Sequence, residues 1–497
     1  MSPRYFAAAD LGASSGRVIL GKLEDGRFEL AETVRFENGP VAAADGSSIH
    51  TDARGLFEQV CTGIEAAIAA SGGALESVGV DTWGVDYGRV DVDGELLEAP
   101  FHYRDDRTQG VPDQVFADLS AEQLYSTAGL QVMPFNTIFQ LVAGREDPRW
   151  AEVSEILLTP DLMSYWLCGR KVAEMTIAST TGLLDVANRT WSEATSAHLA
   201  ERYGLPVPRV LPELVEPGTV LGDTTEGLFS TPIQVVAVGG HDTASAVASI
   251  PATATDFAFV SSGTWSLVGL ELEGPVLTAE SRAADFTNEL GIDGTVRYLK
   301  NVMGLWVLSE SIRAWQATGR AIDLLDLLAA AADHPGLTCT LDMTDERLLP
   351  PGDMPGRLRA MAAETGQELA DDPVAICRCI LDSLAVAYRR TIARACALAG
   401  REVTVVHIVG GGCQNTLLCQ LTAEATGLPV IAGPAEGTAL GNLLVQARAC
   451  GALAGDRTAL RQVAIASSDL TTYTPGALQF GSEAWAMAER RAYPERA

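Results

Sequence analysis

The chain has 497 residues, of which 47% are hydrophobic and 20% are charged. This length favours two large domains over a single core, and the composition is typical of a globular protein. The formal net charge of −29, from 35 basic and 64 acidic residues, argues against a nucleic-acid partner, because phosphate backbones bind basic surfaces. The same charge opposes an anionic ligand, so a metal ion and local backbone dipoles would have to favour any such ligand.

The cysteines and the apolar runs bear on the location of the protein. The nine cysteines are scattered, and we expect reduced thiols in a cytoplasmic protein. Apolar runs such as Val403–Val409 have the length of a strand, well short of a membrane span. A strand begins almost at the first residue, so we expect neither a targeting peptide nor a membrane partner. The sequence leaves the oligomeric state open and is compatible with a monomer.

Two predicted β-hairpins have similar tips, rich in glycine and hydroxyl groups, at residues 10–17 and 261–266. Glycine allows positive φ and close contact, and successive backbone N–H groups can bind an anion. Neither tip has the spacing of a Walker A loop or of a dinucleotide-binding turn. Each is therefore either an ordinary hairpin turn or one of two tips that hold a phosphorylated ligand. Asp10 ends the first strand, where it could meet a metal ion.

The predicted elements repeat along the chain. The first part is predicted as three strands, a helix over Ala53–Ala70 and a buried strand at Ser77–Asp81. From Thr255 a hairpin, a strand and helices follow again. This is the order of a ribonuclease H-like domain, so we expect an α/β protein with two such actin-like ATPase domains and a cleft between them. With the boundary at Pro251, the domains are 1–250 and 251–497.

A carboxylate follows the predicted strand Ile233–Val238. In open α/β sheets, ligands bind at the carboxyl ends of strands, and Asp242 lies there at the start of a helix. Asp242 is either a general base that accepts a proton from a hydroxyl group or the N-cap of that helix. His241 beside it could bind a ligand or be a core histidine, and the other histidines share no metal-ligand spacing with it.

Glycine and polar groups follow other predicted strands. Gly410-Gly411-Gly412 comes after Val405–Val409, and favours contact with a flat ligand such as a nucleotide over a tight turn alone. The segment 82–86 carries Trp83 and Gly84, which could border a sugar or surround a core tryptophan. Asn301 could hydrogen-bond hydroxyl groups or cap the helix after it.

Taken together, these segments resemble the FGGY carbohydrate kinases, and within that family the kinases of L-rhamnulose most closely. The resemblance spans nearly the whole chain in order and rests on residues 10–17, 81–86, 134–137, 241–245, 261–266, 301–306, 407–415 and 432–434. It implies an N-terminal sugar-binding lobe and a C-terminal nucleotide-binding lobe. It also implies that ATP, with Mg²⁺, phosphorylates the 1-hydroxyl of L-rhamnulose to L-rhamnulose 1-phosphate in L-rhamnose catabolism.

The resemblance also assigns residues. Asp242 becomes the proton acceptor, and the sugar is placed against Gly84, His241, Asp242, Thr243 and Asn301. The ATP contacts are placed at Ala13, Ser14, Ser15, Gly16, Arg17, Thr264, Ser309 and Gly411. Ser309 departs from the family, where a glutamine can contact the nucleotide, and a serine is too short for the same contact. Asp10 would be an indirect magnesium ligand.

Two other functions stay open. A kinase of another ketose, such as L-fuculose or L-xylulose, would have the same ATP-binding tips and differ in the segments around Gly84 and His241. An actin-like or chaperone ATPase, which uses nucleotide as a conformational switch for a protein partner, shares the predicted fold. The sequence shows no peptide-binding module after the second lobe, which disfavours the switch.

Overall fold

The structure, a computed structural model, describes residues 2–478 and 480–494. It divides into two compact units. The first consists of Met1–Thr253, Leu272–Tyr298 and Gly437–Ser467. The second consists of Ala254–Glu271, Leu299–Glu436 and Ser468–Ala497.

This division differs from the continuous domains 1–250 and 251–497 in two segments, which return to the first unit. The physical reason is clearest for the helix at Gly437–Ala449. Its buried residues Leu440 and Leu443 pack in one hydrophobic cluster with Phe6 and Ala8 of the first strand. An apolar helical pattern in a sequence shows that one face is buried, but not which sheet covers it.

The strands are, in chain order, β1 (Arg4–Leu11), β2 (Ser15–Glu24), β3 (Arg27–Glu37), β4 (Pro40–Ala42), β5 (Ile49–Thr51), β6 (Leu75–Thr82), β7 (Tyr87–Val90), β8 (Glu155–Leu158), β9 (Ala173–Glu174), β10 (Leu184–Asp185), β11 (Thr190–Trp191), β12 (Leu214–Val215), β13 (Val220–Asp223), β14 (Gln234–Val236), β15 (Phe257–Ser262), β16 (Trp265–Leu272), β17 (Thr287–Leu290), β18 (Val296–Met303), β19 (Val405–Val409), β20 (Val430–Ala432) and β21 (Thr471–Tyr473).

The α-helices are α1 (Ala53–Ala70), α2 (Val111–Phe116), α3 (Ala121–Ala128), α4 (Thr137–Ala143), α5 (Thr159–Cys168), α6 (Met175–Ala178), α7 (Glu193–Tyr203), α8 (Val207–Val210), α9 (Asp242–Ala248), α10 (Ala279–Ala283), α11 (Trp306–Ala317), α12 (Leu324–Asp333), α13 (Met354–Glu364), α14 (Pro373–Ala399), α15 (Thr416–Thr426), α16 (Gly437–Ala449), α17 (Arg457–Ala466) and α18 (Ser482–Ala492).

The main sheet of the first unit has the strand order β13-β14-β6-β1-β2-β3. Strand β1 pairs antiparallel with β2 and parallel with β6, and β6 pairs parallel with β14. Three antiparallel strands followed in space by parallel ones are the arrangement expected for a ribonuclease H-like domain. The parallel strands β1, β6 and β14 therefore bring their carboxyl ends to one edge of the sheet.

The second unit repeats this arrangement. Its strands follow the order β18-β16-β15-β19-β20-β21, in which β15 pairs antiparallel with β16 and parallel with β19, and β19 pairs parallel with β20. Strand β18 begins in the first unit, where β17 also lies. The prediction of two ribonuclease H-like α/β domains is confirmed by the strand order.

Local sequence explains the helix bounds. The predicted helix Ala53–Ala70 is confirmed as α1, whose buried residues include Leu56, Val60 and Ile64 at helical spacing. The Asp52 side chain accepts a hydrogen bond from Gly55 N and caps the helix. None of the helices in the described part of the chain has the length and apolar character that a membrane span requires.

Candidate active site

Three aspartates of the first unit lie within electrostatic reach of one another. Asp10 and Asp81 are register partners on the neighbouring parallel strands β1 and β6. Asp242 is the first residue of α9, and Thr82 of β6 forms a parallel bridge with His241. Burial raises the pKa of Asp81 well above its ordinary value, and the charges of Asp10 and Asp242 raise it further. The strand ends expected to carry chemistry thus come together in this unit.

Asp242 is a partly exposed carboxylate. Its side chain is 31% exposed, and its Oδ1 accepts a hydrogen bond from Thr243 Oγ1 at 3.1 Å. Burial raises the pKa of Asp242, while His241 opposes the rise. The N-cap of α9 is His241, so the alternative that Asp242 is the N-cap is wrong. A reachable carboxylate with a raised pKa is suited to accept a proton.

Asp10 forms an ion pair across the first hairpin. Its register partner on β2 is Arg17, whose Nε and Nη2 lie 3.0 and 2.7 Å from Asp10 Oδ2. The Asp10 side chain is largely buried and that of Arg17 is partly exposed. The resemblance assigns Asp10 to a magnesium ion and Arg17 to ATP. In the structure the two bind each other, so a ligand arriving here would meet a neutralised pair.

Asp81 is a carboxylate that the sequence analysis did not assign. It is fully buried, and its Oδ2 accepts a hydrogen bond from Asn442 Nδ2 at 2.6 Å. Its Oδ1 has no hydrogen-bond partner among the described residues. Buried polar atoms are nearly always satisfied, so this oxygen has spare capacity for a ligand.

The carboxylates of Asp10 and Asp81 fit the needs of Mg²⁺. Within residues 2–478 and 480–494, no group of three or more His, Cys, Asp or Glu side chains is placed to hold a metal ion. Mg²⁺ retains several waters and commonly takes only one or two carboxylates together with substrate phosphates. One unsatisfied oxygen on Asp81 beside Asp10 meets that requirement without a complete protein cage.

The backbone that leads to Asp242 is held by a buried acid. Glu174 Oε2 accepts a hydrogen bond from Gly240 N at 2.9 Å, and the neighbouring Thr176 Oγ1 accepts one from His241 N at 3.3 Å. Burial raises the pKa of Glu174 to about 7, although hydrogen bonds from Thr176 and other residues oppose the rise. These contacts fix the path of the chain from β14 into α9.

The segment after β6 is held by side-chain hydrogen bonds and has a residue in the left-handed region. Val85 has φ 71°, a left-handed conformation that is strained for a β-branched residue, and its N–H donates to Thr180 Oγ1 at 3.3 Å. Trp83 is buried and its Nε1 donates to Asp86 Oδ2 at 2.9 Å. Trp83 is therefore a core residue with a satisfied N–H, and the half-buried Gly84 between them is the part of the segment open to a ligand.

The first hairpin tip leaves backbone donors available. The amide N–H groups of Ala13 and Ser14 have no acceptor among the described residues. Gly16 is buried, and a Cβ there would lie 2.2 Å from the Phe36 ring. Its φ is not positive, so close contact explains this glycine and positive φ does not. Two successive N–H groups without acceptors suit an anion such as phosphate.

The triple glycine of the second unit packs against β15. Gly410 has φ 81°, and a Cβ there would lie 2.9 Å from the Ser262 carbonyl oxygen. At Gly412 a Cβ would lie 1.9 Å from Ser262 Oγ. Gly411 between them is exposed, with no atom within 4 Å of a Cβ placed on it. The flanking glycines thus permit close packing, while Gly411 presents bare backbone to solvent.

The other predicted residues of the second unit lie around α11. The backbone N–H of Trp306 donates to the Thr264 carbonyl at 3.1 Å. This hydrogen bond packs the second hairpin tip against the start of the helix. Ser309 is exposed in the first turn of α11. Asn301 lies half-buried inside β18, so the alternative that it caps the following helix is wrong.

The predicted site residues divide between the two units. The first unit holds Asp10, Ala13, Ser14, Ser15, Gly16, Arg17, Gly84, His241, Asp242 and Thr243. The second unit holds Thr264, Asn301, Ser309 and Gly411. Most of them lie at strand ends or hairpin tips, whereas Asn301 lies inside β18 and Ser309 and Thr243 lie in the first turns of α11 and α9.

Two family models match the chain in succession. The N-terminal domain of the FGGY family of carbohydrate kinases matches residues 5–249, and the C-terminal domain of that family matches residues 258–450. The chain is also 39% identical to a rhamnulokinase of Bacteroides thetaiotaomicron over 95% of this chain and 96% of that protein. It belongs to the FGGY family of carbohydrate kinases.

Other members of the FGGY family extend the comparison. A rhamnulokinase of Enterococcus faecalis is 39% identical over 90% of each chain. Gluconate kinase from Lactobacillus acidophilus superposes with a TM-score of 0.77 at 15% identity, covering 99% of this chain and 96% of that one. Plasmodium falciparum glycerol kinase with ADP gives a TM-score of 0.77 at 12% identity, covering 99% of each chain. At such low identity these structures show the shared fold.

The sequence analysis of this FGGY kinase missed several buried polar residues beside the predicted site. Asp81 and Glu174 are described above, and Glu289 and Arg297 lie next to His241. The sequence did carry a signal that could have identified Asp81, because this residue lies at the end of a buried strand next to a recognised motif. Glu289 and Arg297 had none, because only tertiary packing brings their side chains to a histidine distant in sequence.

Proposed function

We propose that this FGGY kinase transfers the γ-phosphoryl group of ATP to the 1-hydroxyl of L-rhamnulose, giving L-rhamnulose 1-phosphate and ADP in L-rhamnose catabolism. The observation that carries the proposal is its 38–39% identity, over most of both chains, to rhamnulokinases from several bacteria. The partly exposed carboxylate of Asp242 supports it, because phosphoryl transfer to a hydroxyl needs a proton acceptor.

Asp242 is the proposed catalytic base. Its carboxylate takes the proton of the 1-hydroxyl as that oxygen forms a bond to the γ-phosphorus and the bond to the β-phosphate oxygen breaks. A raised pKa makes Asp242 a stronger proton acceptor than an ordinary aspartate. The interaction of Asp242 with Thr243 Oγ1 orients the carboxylate before the sugar binds.

Backbone groups are the proposed ATP ligands. The free amides of Ala13 and Ser14 suit phosphate oxygens, and the open backbone at Gly411 suits the flat base. We also assign Ser15, Gly16, Arg17, Thr264 and Ser309 to ATP. Mg²⁺, held near Asp10 and Asp81, would neutralise phosphate charge when bound.

The sugar contacts are proposed at Gly84, His241, Thr243 and Asn301, in addition to Asp242. Gly84 is the least buried position of a segment held by hydrogen bonds, and a pre-organised segment favours one sugar over its isomers. The cytoplasmic location and the monomeric state remain predictions.

A ketose panel tests the function directly. The purified protein is incubated with MgATP and L-rhamnulose, L-fuculose or L-xylulose, and ADP release is followed by a coupled assay. We expect the highest kcat/KM with L-rhamnulose, and phosphorus NMR of the product should show a phosphate ester on C1.

Two outcomes would contradict the proposal. A clear preference for L-fuculose or L-xylulose would assign a different sugar to the same kinase. ATP hydrolysis that no sugar stimulates would instead favour a nucleotide-driven switch.

A further inference from the structure

Two buried charged residues that the proposed reaction does not use lie behind His241. Glu289 belongs to β17 and Arg297 to β18, and both are in the first unit. The Arg297 side chain is fully buried and that of Glu289 is 7% exposed. Burying a charge is costly unless it is paired, so this pair needs a structural or functional reason.

The guanidinium of Arg297 is fixed from several sides. Its Nη1 lies 3.0 Å from Glu289 Oε2 and 3.1 Å from His241 Nδ1, and its Nε donates to the Leu290 carbonyl at 3.0 Å. Glu289 Oε2 itself lies 3.1 Å from His241 Nδ1. The imidazole therefore meets a neutralised ion pair at Nδ1, and its other nitrogen faces Asp242.

Hydrogen-bond chemistry decides the tautomer. An arginine stays protonated, so its Nη1 can only donate to the imidazole. Glu289 Oε2 lies equally close to Nδ1 but has no hydrogen-bond partner among the described residues, so the guanidinium is the group that forms a hydrogen bond with this nitrogen. Nδ1 then accepts, and a neutral histidine that accepts at Nδ1 carries its proton on Nε2. That Nε2 lies 3.4 Å from Asp242 Oδ1. The proton of the imidazole thus lies on the nitrogen near the carboxylate of the proposed base, although the two atoms form no hydrogen bond.

We propose that Arg297, held in place by Glu289, is a positioning residue that fixes His241 in the tautomer with its proton on Nε2, the nitrogen near Asp242. A proton on Nε2 places positive partial charge near the Asp242 carboxylate and stabilises its ionised form, whereas a lone pair at that nitrogen would repel it. The kinetic consequence of this arrangement rests on the proposed function, whereas the tautomer itself does not.

The variant Arg297→Met should release the imidazole. With the guanidinium gone, Glu289 is the remaining partner of Nδ1 and draws the proton to that nitrogen. The imidazole would then present a lone pair to Asp242 or become doubly protonated. Arg297→Lys retains a cationic donor and should preserve the wild-type tautomer in part.

Nitrogen NMR reads the tautomer without an activity assay. Protein labelled with ¹⁵N-histidine is compared with a His241→Asn sample to assign the His241 signals. We expect an unprotonated Nδ1 and a protonated Nε2 in the wild type, and a protonated Nδ1 in Arg297→Met. A protonated Nδ1 in the wild type would overturn the proposal.

Steady-state kinetics give the second readout. Arg297→Met should lower kcat with L-rhamnulose by about 10- to 100-fold, the scale on which supporting residues act, with the KM for ATP changed by no more than about twofold. Arg297→Lys should recover part of kcat. Unchanged kcat and unchanged His241 signals in Arg297→Met would overturn the proposal.

A second buried arginine provides the matched control. The Arg378 side chain is 3% exposed and its Nε lies 2.9 Å from Asp382 Oδ1, outside the proposed machinery. Arg378→Met should lower the melting temperature without changing the His241 signals, whereas a change in those signals would overturn the specific role of Arg297.

If Arg297→Met does not fold, Glu289→Gln replaces it. This change keeps the volume, removes the charge that holds the guanidinium, and should lower kcat in the same direction; an unchanged kcat with unchanged His241 signals would overturn the proposal. A wild type inactive on every ketose would refute the proposed function and leave the nitrogen NMR result intact.

Discussion

The three interacting carboxylates of the candidate site lie in the first unit, whereas the triple glycine lies in the second. In the first unit, Asp10, Asp81 and Asp242 interact electrostatically. Burial raises the pKa of Asp81 and that of Asp242. In the second, Gly410 and Gly412 pack closely on Ser262 and leave Gly411 bare.

Buried charges and bare backbone should respond differently to substitution. A buried charge affects proton transfer and its pH dependence, because its energy depends on its neighbours and on its protonation state. A bare backbone affects how closely a ligand can approach. Substitution of the carboxylate of Asp242 should therefore change kcat, and substitution of Gly411 should change the KM for ATP.

The largest expected effect comes from Asp242→Asn. The amide keeps the shape but cannot accept the proton, so kcat should fall by about 10²- to 10⁴-fold while ATP affinity is retained. Coupled ADP release gives kcat, and equilibrium nucleotide binding gives the affinity. The exposed Asp113 offers a matched control, since Asp113→Asn should leave both unchanged. A kcat near that of the wild type in Asp242→Asn would remove the base from the mechanism.

The second-largest expected effect is on the pH dependence of activity, which Asp242 should control. Asp242 works only when ionised, and burial raises its pKa, so activity should be lost as the pH falls through a value above the ordinary aspartate pKa of about 3.9. Below that pKa, kcat/KM should fall about tenfold per pH unit. His241 opposes the rise, so His241→Asn should move this limb to higher pH. Protonation of ATP affects both enzymes equally, and an unmoved limb would contradict the assignment.

The sequence predicted most of the fold because local patterns specify it. The apolar spacing from Leu56 to Ile64 and the cap at Asp52 determine α1, and hairpins and strand ends placed the candidate residues. The discontinuous first unit was not predicted, since α16 reaches β1 only through tertiary packing. Proximity in the sequence therefore predicts helices and strands well, but it predicts poorly which compact unit each of them joins.

The candidate site was predicted less completely than the fold. Motifs identified Asp242 and Gly411, but the partners that tune Asp242 come from distant strands. Arg297 is 56 residues from His241, and no local pattern joins them. The sequence also left open why a glycine occupies the first hairpin tip. In the structure, Gly16 is required by its close contact with Phe36, and its φ is not positive.

Neighbouring glycines of the second unit should respond differently to the same substitution. Gly411→Val places a side chain in open space where we assign the nucleotide, so the KM for ATP should rise about tenfold with little change in melting temperature. Gly412→Val would collide with Ser262 and should destabilise the fold by about 1–3 kcal/mol or more. Kinetics and thermal unfolding of both variants give the comparison. A Gly411→Val enzyme with unchanged KM would place the nucleotide elsewhere.

The smallest expected effect is a gain at Ser309. This residue is exposed in the first turn of α11, at the position where the family resemblance implies a glutamine in contact with the nucleotide. Ser309→Gln should restore one hydrogen bond, worth about 0.5–1.5 kcal/mol, and so lower the KM for ATP by about two- to tenfold. Because the contact lies in the second unit, kcat should not change. Ser309→Leu matches the length without the amide, so an equal fall in KM in both variants would show that side-chain packing, and not a hydrogen bond to ATP, is responsible.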